Sequence, residues 1–197
     1  MLGAVILAGG KSKRFGSNKA FAKLKGKEII LWCIEGLNGL VQEIILSVKK
    51  IDDRFLNIGK YNVKIVEDLY VLEGPLVGLY SSLLFMKSKY VYIHPVDSPY
   101  IIREYVNFMF NCVKECNGCA VVFENGTFDP THSVVERNAA LDYSKKLIEN
   151  GNTSLKSLFL ELPNVKFIKL EELNIKSIDK AFININTKED LEREDSK

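Results

Sequence analysis

A chain of 197 residues carrying 27 Lys and Arg against 25 Asp and Glu, net +2, is long enough to bury about 70% of its unfolded surface without covalent staples. The near balance of charge gives no basis for a nucleic-acid binder, and four cysteines, at 33, 112, 116 and 119, are too few for a disulfide framework at this length and suggest a reducing compartment. No apolar run approaches the roughly 18 residues of a membrane crossing, and no charged region followed by a longer apolar one opens the chain, so a soluble cytoplasmic protein with no membrane partner is expected.

The first predicted element is a buried strand over 4–8, Ala-Val-Ile-Leu-Ala, broken at Gly9 and Gly10, where the backbone can take angles closed to other residues. A basic loop follows. Seven of the 27 basic residues (Lys11, Lys13, Arg14, Lys19, Lys23, Lys25, Lys27) lie in the first 27 positions with no acid among them, leaving 20 basic against 25 acidic residues elsewhere. Backbone N–H groups beside concentrated cations, straight after a strand, suit a polyphosphate. Two familiar phosphate motifs do not fit. A P-loop ending in Gly10-Lys11-Ser12 would need glycine where Val5 stands, and Gly9, Gly10 and Gly16 lack the spacing of a dinucleotide fingerprint, whose acidic residue is also missing at Ser47-Val48-Lys49.

Further along, a helix is expected over 28–37, a strand over 43–48, a short helix within 49–61 and a strand over 63–66. This alternation is that of a parallel sheet with right-handed crossovers. Asp68 closes the third strand, and Gly74-Pro75 opens a helix running to about 87. Because ligands in such sheets sit beyond the carboxyl ends of the strands, Asp68 is well placed to touch one. A fourth strand over 90–93 leads to Pro95-Val96-Asp97-Ser98-Pro99, whose prolines keep the backbone extended and aim a hard oxygen at the same crevice.

A helix over 101–115 precedes a strand over 119–123. Cys112, Cys116 and Cys119 copy the spacing of an iron–sulfur ligand set, but the first two fall on the apolar face of that helix and the third begins the strand, so they read as small hydrophobes. Asn125-Gly126 signals a hairpin returning as a strand over 131–136, an antiparallel element. His94 and His132, the only histidines, lack metal-pair spacing and read as structural. Helices over 138–149 and 153–161 and a strand over 165–170 follow. A final strand over 180–187 would set Asn184 and Asn186 on one face, with Thr187 and Asp190 starting the last helix. With no repeat, linker or boundary, one domain over 1–197 is expected.

Leu7-Ala8-Gly9-Gly10, Ser12, Arg14, Phe15-Gly16 and Lys19-Ala20, then Gly74-Pro75-Leu76, Asp97 and the closing Asn184-x-Asn186-Thr187 resemble, in order, the motifs of the molybdenum cofactor guanylyltransferases, the MobA-type nucleotidyltransferases. The chain departs from the pattern at Asn18, where the family has Asp, and at Ser47, where some members have Asn. The resemblance implies an α/β, three-layer Rossmann-like nucleotidyltransferase fold, mostly parallel with an antiparallel element. It implies transfer of GMP from GTP to molybdopterin or molybdenum cofactor, with release of pyrophosphate. Cofactor-biosynthesis proteins would be the other partners of a monomer or weak oligomer. In residue terms it implies nucleotide contacts at Leu7, Ala8, Gly9, Gly10, Lys19, Asp68, Gly74 and Gly78, Mg²⁺ on Asp97, and the molybdopterin side at Asn184 and Asn186. Arg14, Lys19 and Asp97 would carry the chemistry, and the backbone N–H groups of Ala8 to Gly10 would cradle the phosphates. Other NTPs or phosphorylated acceptors, and nucleotide binding without turnover, are the rival readings.

Overall fold

The computed structural model describes residues 1–10 and 18–197. In chain order its elements are β1 (Leu2–Leu7), a minor hairpin of β2 (Lys23–Leu24) and β3 (Lys27–Glu28), α1 (Ile29–Leu37), β4 (Ile44–Val48), α2 (Asp53–Ile58), β5 (Lys64–Glu67), α3 (Pro75–Leu83) and β6 (Tyr90–Pro95). These are followed by α4 (Arg103–Val113), β7 (Gly118–Val122), β8 (Phe128–Glu136), α5 (Arg137–Glu149), α6 (Leu155–Glu161), β9 (Val165–Lys169) and α7 (Lys188–Asp195). Seven strands form one sheet in the order β5-β4-β1-β6-β8-β7-β9, and β8 alone among them runs antiparallel to its neighbours. No helix among the described residues is long and apolar enough to cross a membrane.

The inner strands are apolar on both faces because helices cover both. On one side Ala4, Ile6, Leu46 and Tyr92 pack with residues of α1, α2 and α4, such as Cys33, Phe55 and Met109. On the other, Val5, Ile45, Val91 and Ile93 pack with residues of α3, α5 and α6, such as Leu79, Ala140 and Leu158. Three layers result, as the resemblance implies. From β1 the chain steps outward to β4 and β5, then α3 carries it back to β6 on β1's other flank. The strand order therefore reverses at β1, which opens a crevice at its carboxyl end.

Several expected bounds move. α3 stops at Leu83, short of 87. Cys116 lies past the end of α4, in a turn where its Sγ reaches the carbonyls of Cys112 and Gly118, and Cys119 is buried beside Met109. The expected final strand is absent. Ile178–Phe182 is a tight helical turn, and the residues after it lie against Asp97 and Ser98, just beyond β6. Only Ile185 turns inward, into a small cluster with Leu24 and Ile29, and its N–H donates to the Asp97 carbonyl at 2.8 Å. The alternation that resembles a strand comes from that one inward residue between two exposed asparagines. Thr187 caps α7 in a capping box with Asp190, as the spacing predicts.

Both histidines are core residues, with rings 5.3 Å apart in an edge-to-face arrangement. Burial, helped by the neighbouring His132, pushes the His94 imidazole down to about 3, against the Ser98 carbonyl and Asp129. An unfolded histidine takes a proton near 6.5, so between that pH and about 3 the unfolded chain binds a proton that the native His94 refuses. Stability is therefore expected to fall on acidification below about pH 6.5, with His94 contributing up to ~1.4 kcal/mol per pH unit. Urea titrations at successive pH values should show this slope, and His94→Gln should flatten it.

Candidate active site

The crevice at the end of β1 has a volume of about 400 Å³, within the size range of small-molecule sites. Leu7 to Gly10 form one wall, Ser47 lies near the end of β4 with Lys49 just after it, Asp68 follows β5, and Glu73, Gly74, Pro75 and Gly78 come from the start of α3 and the loop before it. Pro95 ends β6 and Val96 and Asp97 follow it, Thr131 comes from β8, and Asn18 and Lys19 complete the rim. Of the residues singled out from sequence, Leu7, Ala8, Gly9, Gly10, Lys19, Asp68, Gly74, Gly78 and Asp97 thus converge on one cavity. Arg14, with the rest of residues 11–17, lies outside the described residues.

The wall after β1 differs from expectation in one respect. The Ala8 N–H donates to the Ser47 carbonyl at 2.8 Å, continuing the ladder to β4, so it does not face a phosphate. Among the described residues no acceptor meets the N–H of Gly9 or Gly10, and these two remain to cradle an anion. A side chain at Gly9 would stand 3.5 Å from Asp68 Oδ2, so the glycine keeps that side of the crevice wide.

Asp68 is half-buried against Ser47, whose hydroxyl donates to Oδ1 at 3.4 Å. Burial pushes the Asp68 carboxyl up, opposed by that hydroxyl and by Lys49. Gly78 in α3 packs directly on this pair. A methyl there would overlap Ser47 Oγ and come within 3.3 Å of Asp68 Oδ1. Gly78→Ala should therefore weaken binding of a ligand at this end of the crevice by about tenfold, roughly 1.4 kcal/mol, while the melting temperature moves by only a few degrees, as calorimetric titration and thermal denaturation would show. Gly74 has φ of 153°, a value that side chains disfavour, and leads into Pro75 at the first turn of α3. The loop before it is tied down by Lys49–Glu73 at 2.6 Å and by the Thr153 hydroxyl on the Glu73 carbonyl at 2.7 Å.

Opposite this end, Lys19 and Asp97 form a close ion pair, their side chains 16% and 18% exposed. Asn18 aims Lys19. Its Oδ1 accepts the Ala20 N–H at 3.1 Å and caps the turn Lys19–Phe21, a capping role that Asn fills as well as Asp. The two asparagines of the closing motif have different partners. Asn186 Oδ1 accepts from Lys19 Nζ at 3.4 Å, whereas Asn184 Oδ1 accepts from the Ser98 hydroxyl at 2.6 Å. Both stand beyond the crevice lining, on the Asp97 side. Lys49 and Glu73 had no motif to single them out, since each reaches the cavity through a loop whose position depends on tertiary packing.

Among the described residues no group of three or more His, Cys, Asp or Glu is arranged for a metal. A single partly exposed carboxylate beside a phosphate-sized cleft nevertheless fits Mg²⁺, which keeps several waters and takes its remaining ligands from one or two carboxylates and substrate phosphates.

Matches to known proteins show the family of the chain. Residues 4–165 match the MobA-like NTP transferase domain. The chain is 31% identical to a probable molybdenum cofactor guanylyltransferase of Pyrococcus horikoshii, covering 95% of this chain and 96% of that one. It is 33% identical to one of Thermococcus gammatolerans, covering 97% of each. In fold it is similar to the molybdopterin-guanine dinucleotide biosynthesis protein A of Archaeoglobus fulgidus, with a TM-score of 0.83, 22% identity and coverage of 100% of this chain and 97% of that one. A 4-diphosphocytidyl-2C-methyl-D-erythritol synthase of Anaerococcus prevotii shares the fold at a TM-score of 0.72 and 16% identity, over 99% and 94% of the two chains. The chain belongs to the molybdenum cofactor guanylyltransferase family and is a nucleotidyltransferase.

Proposed function

We propose that the chain transfers GMP from GTP to the terminal phosphate of molybdopterin, with or without bound molybdenum, giving a guanine dinucleotide cofactor and pyrophosphate. The observation that carries this reading is the convergence of Lys19 and Asp97 with the Gly9–Gly10 backbone and Asp68 on one cavity at the strand-order reversal. The nucleoside occupies the Asp68, Gly74 and Gly78 end, where Gly9 leaves room for a purine. The triphosphate runs along the Gly9 and Gly10 N–H groups towards Lys19, with Arg14 as its second cation, and the acceptor approaches from the side of Asn184 and Asn186.

An oxygen of the acceptor phosphate forms a bond to the α-phosphorus while the bond to the bridging α–β oxygen breaks. The attacking phosphate is already ionised, so no general base is needed. The chain's contribution is to hold two anions in line and to meet the charge that grows on the leaving oxygens. Lys19 does this as a compact point charge, and its ion pair with Asp97 keeps both groups placed before substrate arrives. Mg²⁺, which Asp97 would hold, would supply further charge neutralisation.

The test is to incubate the protein with Mg²⁺, molybdopterin and each of GTP, CTP and ATP, and to follow pyrophosphate. Release with GTP alone supports the reading. Release with CTP but not GTP would make it a cytidylyltransferase, and tight binding without release would make it a nucleotide-binding protein.

A further inference from the structure

The turn that carries Asp97 makes few backbone bonds of its own: Val96 N–H to the Leu7 carbonyl at 3.1 Å and Ser98 N–H to the Pro95 carbonyl at 3.2 Å. Its far end is fixed by buried side chains. The His94 Nε2 lies 2.7 Å from the Ser98 carbonyl. A carbonyl only accepts, so Nε2 carries the hydrogen. The Ser98 hydroxyl in turn donates to Asn184, and the next residue, Ile185, donates its N–H to the Asp97 carbonyl. Behind His94 stands His132, whose Nδ1 is 2.6 Å from Asp129 Oδ2, while Asp129 Oδ1 accepts both the N–H and the hydroxyl of Thr131, a residue of the crevice wall.

This arrangement is expensive for packing alone. Both imidazoles are buried, and among the described residues His94 Nδ1 and His132 Nε2 have no hydrogen-bond partner. An apolar ring at 94 would fill the same space against Tyr92 without desolvating polar nitrogens. What an apolar ring would not supply is the N–H on the Ser98 carbonyl.

We propose that His94 is a positioning residue for the transfer reaction: its Nε2–H holds the Asp97 turn in place relative to Asn184 and Lys19, and His132 with Asp129 keeps the His94 ring in the orientation this needs. The inference rests on the assignment of Asp97 to the metal made above. It predicts a metal-site defect in a folded protein, not a general loss of structure.

The experiment measures Mn²⁺ binding to the protein–GTP complex by electron paramagnetic resonance without acceptor, together with kcat and KM for GTP. His94→Phe should weaken Mn²⁺ binding and lower kcat about tenfold each, with KM for GTP changed less than about threefold. His94→Gln, whose amide can offer an N–H to the same carbonyl, should recover most of both. If His94→Phe does not fold, Asp129→Asn replaces it and should shift both quantities in the same direction. Unchanged Mn²⁺ affinity and kcat in the folded variant, or no recovery with Gln, overturns the proposal. Asp97→Ala separates the two layers: if it leaves Mn²⁺ affinity intact, the assignment of Asp97 fails and this inference falls with it, whereas if it abolishes binding and the His94 variants are indifferent, only this inference falls.

Discussion

Asp97→Ala should lower the rate of GMP transfer at least about a thousandfold while the chain stays folded. The substitution removes the one hard oxygen that faces the phosphate end of the crevice from the turn after β6. It leaves the backbone that positions the turn, since the Ile185 N–H bonds to the Asp97 carbonyl, not to its side chain. Lys19 loses its partner in a part-buried ion pair at the rim but keeps Asn186 at 3.4 Å, so stability should fall by about 2 kcal/mol, between the cost of breaking an exposed pair and a buried one. That corresponds to roughly 4 to 8 °C in a domain of this size. Pre-steady-state pyrophosphate release and thermal denaturation on the same preparation separate the effects. A variant that unfolds, or one that keeps its rate, contradicts the role given to Asp97.

The second large effect is expected at Lys19. Lys19→Ala should cost about a hundred- to a thousandfold in kcat, with a smaller rise in KM for GTP, because the ammonium is needed most where charge accumulates on the departing pyrophosphate. Lys19→Arg should recover little, since a planar fork does not reproduce a compact charge in a space already shared with Asp97 and Asn186. The double variant should be much less impaired than the product of the two single losses, because both residues serve the same phosphate group. Additive losses would mean that Lys19 and Asp97 act at separate places.

The sheet was legible because its inner strands are short apolar runs between breakers, and parallel strands buried on both faces have to look that way. The Asn125-Gly126 turn likewise foretold the antiparallel return of β8. At the site, glycines and charges stood out where strands ended, so Gly9, Gly10, Asp68 and Asp97 could be gathered on topology alone. What escaped were facts of three-dimensional neighbourhood. Whether the Ala8 N–H faces a phosphate or continues a ladder depends on how far β4 extends alongside, which periodicity does not tell. The run from Phe182 to Thr187 alternates as a strand does, yet its alternation comes from Ile185 seating in a satellite cluster. His94 and His132 read as ordinary core residues because their pairing joins two strands 38 positions apart in the chain.

The placement of a guanine nucleotide at the end of β1 is tested most directly by a crystal structure of the protein with GTP and Mg²⁺. The account predicts the metal about 2.0 to 2.1 Å from an Asp97 carboxylate oxygen, phosphates along Gly9 and Gly10 next to Lys19, and the nucleoside beside Asp68 and Gly78. A triphosphate bound on another face, or a metal held without Asp97, would contradict it.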